Sequence, residues 1–418
     1  MGFVNRHWYI RRHLKIIIAI TLTVSGQSFA NAADNGTNWV GTWACSPQLV
    51  EPQNMPPAPG LANNTLRQVI HLTLGGHELR LRFSNEFSRT PLGIASVHIA
   101  LSADSVAGTI RPETDTAVTF GGKPGVKIPG SALMFSDPIK FSTAPLSDLI
   151  VTIQFDEVPE GITGHPGSRQ TSFIAAGNQV SAAALTTPVT TEHWYILTGA
   201  DTDGAEDSAA IVTLGDSITD GRGSITNQDT RWADNLARAL AADKKLSHLS
   251  VLNHGIGGNR ITRDGLGPNA LARYDRDVIA QTGRRWVIIF EGVNDIGSTK
   301  AATDKGVPST MADDIILAYQ QFILRAHNHG IKVYGATITP FGQSFYYNAS
   351  TESDRQKVND WIRNSHQFDA VIDFDKAVRD PANPSQLTAD TDSGDHLHLN
   401  SEGYRRMAAA IDLNLFRR

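Results

Sequence analysis

The sequence predicts an α/β chain in two parts, in which an all-β sandwich of jelly-roll type precedes a parallel sheet with helices on both faces. From Asn38 to about Thr198, apolar residues recur at every second position. From Ile211 onward, short apolar strands alternate with segments of helical period. The length of 418 residues also exceeds what one small hydrophobic core fills. We therefore expect a signal peptide at 1–32, a β-sandwich domain at 35–204 and an α/β domain at 205–418.

The amino end has the pattern of a secretory signal peptide. Four basic residues precede a short apolar run, 16–24, which is followed by the small residues Ala30-Asn31-Ala32. The run is far shorter than the roughly 20 residues that a membrane helix needs. We expect cleavage near Ala32 and a secreted or periplasmic protein with no membrane segment.

Composition narrows the classes of partner. The formal net charge is −5, and loss of the four basic residues of the leader takes it to −9, so neither nucleic acid nor an anionic membrane is an expected partner. Cys45 is the only cysteine, which excludes an internal disulfide, and we expect it to be buried. No His/Asp/Glu group has metal-ligand spacing, so no metal or cofactor is expected. The oligomeric state stays open.

The first half contains one strong turn signal and three notable aromatic residues. Two alternating runs, 70–74 and 78–83, flank Gly75-Gly76, which predicts a hairpin with both glycines at positive φ. Trp39, Trp43 and Trp194 are either a platform for sugar rings or packing residues, and packing is favoured, since aromatic side chains bury large areas. We expect the β domain to be mainly structural. The Gly-, Asp- and Ala-rich segment 199–210 predicts a linker with the boundary near 205.

In the second half, strands alternate with helices. Apolar runs predict strands at 211–214, 251–252, 287–290, 331–338 and 371–374. Helical periodicity predicts helices at 232–241, 315–329, 353–365 and 400–413. Polar residues follow three of these strands and precede the final helix. They contain Ser217, Gly258, Asn294 and the Asp395-x-x-His398 pair. In a doubly wound sheet such positions converge on one edge.

These residues together fit an acyl-transfer site. A serine needs a base to become a nucleophile, and histidine is the usual one, so we assign Ser217 as nucleophile and His398 as base. Asp395, three residues before His398, can orient the imidazole. The Ser217 N–H, the Gly258 N–H and the Asn294 amide are the expected oxyanion donors. His396 is a rival base, but it is adjacent to Asp395 and worse placed.

At these residues the sequence resembles the SGNH hydrolases, the GDSL-type esterases. Gly215-Asp216-Ser217-Ile218-Thr219 resembles the first block of that superfamily. Gly258, Asn294 and Asp395-x-x-His398 match its second, third and fifth blocks. The resemblance covers roughly 210–413 and implies a flavodoxin-like three-layer α/β/α fold with five parallel strands. Residue 218 is Ile where many members have Leu, and Gly257 stands where Ser or Ala is frequent. A weaker resemblance links the opening, 39–43, to two-domain exported members.

The expected function is that of an exported serine esterase without cofactor. Its substrates are short-chain, chiefly acetyl, esters of polysaccharide or oligosaccharide, as export, the acidic charge and the appended β domain suggest. A lipase or general carboxylesterase acting on lipid or aryl esters is the alternative within enzymes. A carbohydrate-binding protein with a degenerate hydrolase domain is the alternative of another class. A nucleotide- or flavin-binding protein is disfavoured because no glycine-rich phosphate signature is present.

Overall fold

The computed structural model describes residues 1–2 and 37–417. The signal-peptide prediction and its cleavage near Ala32 lie outside these described residues, apart from the first two. Among the residues that the structure describes, no helix combines the length and the apolar character needed to cross a bilayer.

Within the described residues of the first half, the structure contains sixteen strands, which confirms a β region. They are β1 Asn38–Ala44, β2 Gln48–Leu49, β3 Thr65–Leu72, β4 Gly76–Ser84, β5 Leu92–Asp104, β6 Thr109–Ile110, β7 Thr116–Val118, β8 Val126–Ile128, β9 Leu133–Phe135, β10 Ile139–Thr143, β11 Ser147–Phe155, β12 Thr163–His165, β13 Ser172–Ala175, β14 Val189–Thr191, β15 Trp194–Tyr195 and β16 Leu197–Gly204. One sheet has the order β1-β16-β4-β10, with β9 also on β4. A larger one runs β14-β13-β3-β11-β5-β6, with β7 and β8 also on β5, and β15-β12-β2 form a small third sheet.

The two large sheets share one apolar core. Ile70 of β3, Ile153 of β11, Leu81 and Phe83 of β4 and Ala200 of β16 all belong to the same buried cluster. All strand pairs in this half are antiparallel, and the alternation of apolar and polar residues gives each sheet one face for this core. A jelly-roll connectivity stays a prediction.

The predicted hairpin around Gly75-Gly76 is wrong. β3 and β4 lie in different sheets, and neither glycine has a positive φ. The glycines are required for close approach instead. A Cβ on Gly76 would lie 2.1 Å from the Thr202 hydroxyl, and one on Gly75 would lie 2.4 Å from the carbonyl oxygen of Thr143. The chain therefore uses Gly-Gly to cross between sheets through a crowded corner.

The tryptophans favour packing over a sugar platform. Trp43 and Trp194 are buried and meet edge to face, with ring centroids 4.9 Å apart. Trp39 is half-buried, and the Arg80 guanidinium lies 4.6 Å from its ring centroid. Cys45 is buried as predicted, and burial raises the pKa of its thiol.

The predicted linker is also wrong, because 197–204 is strand β16, which lies between β1 and β4. The sequence did not predict this strand because few residues of the Gly-, Asp- and Ala-rich segment are apolar. Val40, Ala44 and Leu74 of the β region belong to the same buried cluster as the parallel sheet. The Thr73 hydroxyl also accepts a hydrogen bond from the Val251 N–H at 3.1 Å. A shared core therefore joins the two halves, while a domain boundary near 205 stays a prediction.

The second half contains the five parallel strands that the family resemblance implied. They are β17 Ala209–Gly215, β18 Leu249–Gly255, β19 Arg284–Phe290, β20 Lys332–Ala336 and β21 Ala370–Ile372. Their order is β18-β17-β19-β20-β21, which is the doubly wound order 2-1-3-4-5. The helices are α1 Ser217–Asp220, α2 Trp232–Ala242, α3 Ala270–Tyr274, α4 Val293–Gly297, α5 Lys300–Thr303, α6 Met311–His327, α7 Ala349–Asn364, α8 Phe374–Val378 and α9 Ser401–Ala409.

Most of the predicted elements in the second half differ from the observed ones at one or both ends, and two of these differences have a clear local cause. Helix α7 begins at Ala349 rather than at 353, because Asn348 and Thr351 form a capping box that starts the helix one turn earlier. The predicted strand 371–374 ends at Ile372, because the Asp373 side chain accepts a hydrogen bond from the Lys376 N–H and starts α8.

Candidate active site

Ser217 is the first residue of α1, at the carboxyl end of β17. The preceding Asp216 has an extended backbone, and its side chain accepts a hydrogen bond from the Ile218 N–H at 2.9 Å, which caps the helix. Ile218 is fully buried and anchors the turn in the core. Ser217 therefore lies on rigid backbone at the edge of the sheet where ligands bind in such folds.

The structure brings Ser217, His398 and Asp395 into one hydrogen-bonded chain. The Ser217 Oγ lies 2.8 Å from Nε2 of His398, and Nδ1 of His398 lies 2.6 Å from Oδ2 of Asp395. The Asp395 Oδ1 accepts the backbone N–H groups of His398 at 2.8 Å and Leu397 at 3.1 Å, which fixes the carboxylate. The arrangement gives a serine hydroxyl, a base in contact with it and a carboxylate that orients the base.

The surroundings keep His398 neutral and Asp395 ionised. Burial lowers the pKa of the His398 imidazole below its ordinary 6.5, against the opposing hydrogen bond and charge of Asp395, and the positive charges of Arg222 and Arg169 lower it further. Partial burial raises the pKa of Asp395, but the hydrogen bonds from His398 and Leu397 outweigh that effect and hold it at about 2. His398 is therefore in the proton-accepting form at neutral pH.

The three expected oxyanion donors all belong to residues of one cleft of about 260 Å³, which Ser217, Asp395 and His398 also line. Among the described residues, the N–H groups of Ser217 and Gly258 have no hydrogen-bond acceptor, so both are free for a ligand. Gly258 has a φ of +70°, a conformation that favours glycine, and a Cβ there would lie 2.8 Å from Leu266.

Two hydrogen bonds fix the side-chain amide of Asn294, and the sequence predicted neither of them. Its Nδ2 donates to the carbonyl oxygen of Asn259 at 2.9 Å, and its Oδ1 accepts the Tyr346 hydroxyl at 2.9 Å. One Nδ2 hydrogen is left for a ligand in the cleft, which Tyr346 also lines. Tyr346 lies on a loop far from Asn294 in sequence and carries no motif, so only the fold shows the contact.

We expect Tyr346→Phe to lower kcat about fivefold with little change in KM, since one hydrogen bond worth about 1 kcal/mol then no longer orients the amide. Steady-state kinetics on p-nitrophenyl acetate measures the split. Tyr347→Phe is the matched control, because among the described residues its hydroxyl has no hydrogen-bond partner. Equal effects of the two variants, or a change in KM alone, would contradict a positioning role for Tyr346.

Asp295 was also missed as a supporting residue. It accepts hydrogen bonds from the N–H groups of Ile261 at 2.8 Å and Thr262 at 3.0 Å, and from the Thr262 hydroxyl. These bonds tie the loop that carries Gly258 to the helix that carries Asn294. The rival base His396 lies outside the cleft: it is 45% exposed and its Nδ1 lies 2.6 Å from Oδ2 of Asp392 rather than contacting Asp395.

One group of residues outside the cleft has the composition of a metal site. His71, Asp148 and Asp229 offer ligand atoms within 4.8 Å of one another, although they are far apart in sequence. His71 Nδ1 is 2.7 Å from Asp148 and 3.5 Å from Asp229, and Asp229 is shared with Gln170 and Arg231. Burial lowers the pKa of His71, but the two carboxylates outweigh it and raise that pKa. The contacts are those of an ion-paired histidine between the two halves of the chain.

The family model of the GDSL-like lipase/acylhydrolase family matches residues 213–406. This segment belongs to the GDSL-like lipase/acylhydrolase family. Members of the family are serine ester hydrolases, and the chain is an enzyme of that class. No curated protein sequence matches the chain.

The solved structures that are similar to this chain cover about half of it. A putative lipolytic protein of the G-D-S-L family from Desulfitobacterium hafniense is 20% identical over 49% of this chain and 97% of its own, with a TM-score of 0.37. An acetyl xylan esterase is 25% identical over 48% of this chain and 96% of its own, with a TM-score of 0.38. An aryl esterase from M. smegmatis is 18% identical over 49% of this chain and 96% of its own, with a TM-score of 0.37.

Proposed function

We propose that this GDSL-like hydrolase cleaves short-chain carboxylic esters, chiefly acetyl esters of polysaccharide or oligosaccharide, through an acyl-enzyme on Ser217. The observation that carries the proposal is the contact chain from the Ser217 hydroxyl through His398 to Asp395, with separations of 2.8 and 2.6 Å. Such a chain activates a serine that is otherwise a weak nucleophile at neutral pH.

The reaction proceeds in two halves. The Ser217 Oγ attacks the ester carbonyl while Nε2 of His398 accepts its proton, and the carbonyl oxygen becomes an oxyanion. The free N–H groups of Ser217 and Gly258 and the remaining Nδ2 hydrogen of Asn294 stabilise that charge. His398 then gives its proton to the departing alkoxide, which leaves as the alcohol. In the second half, water loses a proton to His398 as its oxygen attacks the acyl carbon. The bond between that carbon and the Ser217 Oγ then breaks, His398 returns the proton to Oγ, and the acid is released.

A short acyl group suits the cleft. The cleft has a volume of about 260 Å³, and this volume must hold both the acyl group and the nearest part of the alcohol. The segment between Gly258 and Asp277 is charged and glycine-rich rather than an apolar lid. The leader-like amino end supports export, which we propose together with this activity, because a polymeric substrate lies outside the cell membrane.

Hydrolysis of aryl or longer alkyl esters is the second candidate. Phe345 and Leu266 line the cleft and are 65% and 48% exposed, so an apolar group bound there would cover them. Each buried methylene would contribute about 0.8 kcal/mol to binding. This surface could accept the aryl or alkyl part of a lipid-like ester.

A chain-length series separates the two candidates. We expect kcat/KM on p-nitrophenyl esters to be highest for acetate and to fall by about tenfold or more at octanoate, since a longer chain does not fit the cleft with the alcohol. Acetate release from acetylated xylan and pectin oligosaccharides extends the measurement to sugars. Octanoate esters that react faster than acetate, with no release from the sugars, would replace the proposal with the second candidate.

A further inference from the structure

A second cavity of about 210 Å³ adjoins the cleft at Ser217. Arg169, Arg222, Gly257 and Leu266 line both cavities, so the two adjoin, and we call them together the groove. A substrate whose ester lies at Ser217 can therefore extend into the second cavity. We call this second cavity the side subsite.

The β region forms most of the side subsite. The polar residues that the β region contributes to the wall of the side subsite are Gln48, Glu51, Gln53, Asn54, His165, Arg169 and His193. An alkyl chain placed against these groups would strip them of water without replacing their hydrogen bonds, which is unfavourable. A hydroxylated alcohol part can replace them. The side subsite therefore suits the sugar side of the ester rather than the acyl side.

The β region is fixed directly to the turn that carries Ser217. His165 Nε2 lies 2.9 Å from Oδ1 of Asp220, the last residue of α1, and Nη2 of Arg169 lies 3.5 Å from the other carboxylate oxygen of Asp220. Both Asp220 and His165 are buried. Arg169 is thereby held beside Ser217 by a loop of the other half of the chain.

The groove contains one guanidinium group without a partner among the described residues. Arg222 is exposed, and within the described part of the chain its guanidinium has no hydrogen-bond or ion-pair partner. The Nε of Arg169 is buried and also lacks a hydrogen-bond acceptor among the described residues.

The carboxylates of the groove do not neutralise Arg222. Asp220 is paired with His165 and Arg169, and Asp395 is paired with His398. Glu51, on the wall of the side subsite, accepts hydrogen bonds from the side-chain amides of Gln48 at 2.5 Å and Asn54 at 3.0 Å. The positive charge nearest to Ser217 and His398 is thus available to an anion.

We propose that Arg222 and Arg169 bind a carboxylate on the alcohol part of the ester, so that the substrate is an acylated saccharide containing uronic acid. The inference rests on the proposed ester hydrolysis and names the class of alcohol. A guanidinium presents paired N–H donors that match the two oxygens of a carboxylate, and such charge-assisted bonds are stronger than those to neutral hydroxyls.

The test compares two substrates that differ only at the carboxylates: an acetylated oligogalacturonide and the same oligosaccharide with its carboxylates methyl-esterified. Acetate release by the full chain should give a kcat/KM about tenfold or more higher for the free acid. Arg222→Gln should reduce this preference to about threefold or less. Arg89→Gln is the matched control, since Arg89 is exposed and lines neither cavity, and it should keep the wild-type preference. Equal rates on the two substrates, or an unchanged preference in Arg222→Gln, would overturn the proposal.

A binding measurement separates failure of this subsite from failure of the proposed function. The full chain with Ser217→Ala needs no turnover to bind, and calorimetry with unacetylated trigalacturonate should show binding that weakens with added salt and that its methyl ester lacks. Charge-selective binding without hydrolysis of any ester would support the subsite and contradict the proposed function. Hydrolysis of p-nitrophenyl acetate without charge-selective binding would contradict the subsite proposal alone and leave the proposed function standing.

Discussion

Ser217→Ala is expected to lower kcat on p-nitrophenyl acetate by on the order of 10⁴-fold or more, because the acyl-enzyme can no longer form. The remaining rate would come only from binding and the oxyanion donors. The loss of one Oγ should not unfold the chain, since the capping bond from Asp216 to the Ile218 N–H does not use the serine hydroxyl.

Ser224→Ala is the matched control for this variant. Its hydroxyl donates to the carbonyl oxygen of Gly221 in the same loop and it does not line the cleft, so its activity should stay roughly within a factor of three of the wild type. If Ser217→Ala kept even a tenth of the wild-type rate, another nucleophile would have to be sought.

His398→Ala is expected to approach the defect of Ser217→Ala, because the imidazole must move a proton between two oxygens. Asp395→Ala should retain more activity, since the carboxylate only orients and stabilises the imidazole. Removing single members of such a triad lowers kcat by unequal factors. The kcat/KM on p-nitrophenyl acetate measures all three variants, with circular dichroism to check the fold. Because burial lowers the pKa of His398, the acid limb of the wild-type profile should have its midpoint below pH 6.5.

His396→Ala is the control for the choice of base. It changes the same residue type on the same loop, but His396 pairs with Asp392 and lies outside the cleft. It should therefore lose less than about tenfold in kcat/KM, or roughly 1.4 kcal/mol of transition-state stabilisation. A defect as large as that of His398→Ala in a folded protein would reassign the base.

The sequence predicted the parts of the fold that depend on local pattern. The alternating runs 70–74 and 78–83 located β3 and β4. The helical period located α2 and α6, because each of these helices has one buried face. The same reasoning failed at Gly75-Gly76 and at β16. Glycines in both places serve close contacts with other strands, and those contacts are set by distant residues such as Thr202 and Thr143.

The sequence likewise predicted one part of the candidate site and missed another. Ser217, Gly258, Asn294, Asp395 and His398 follow or precede elements that the sequence reveals, so their meeting at one sheet edge was predictable. Tyr346 and Arg169 were not, because each acts on a site residue distant in sequence and neither has a motif around it. The sequence also did not predict that residues of the β region line the side subsite. That this region is mainly structural stays a prediction.

Covalent labelling tests the role of Ser217 most directly. The full chain is treated with a fluorophosphonate, which phosphonylates an activated serine and then resists hydrolysis, and the adduct is located by intact-mass and peptide mass spectrometry. The proposed mechanism predicts one adduct, on the peptide that contains Ser217, with none in Ser217→Ala and a much slower reaction in His398→Ala. An adduct on another residue, or an equal rate of labelling in Ser217→Ala, would contradict it.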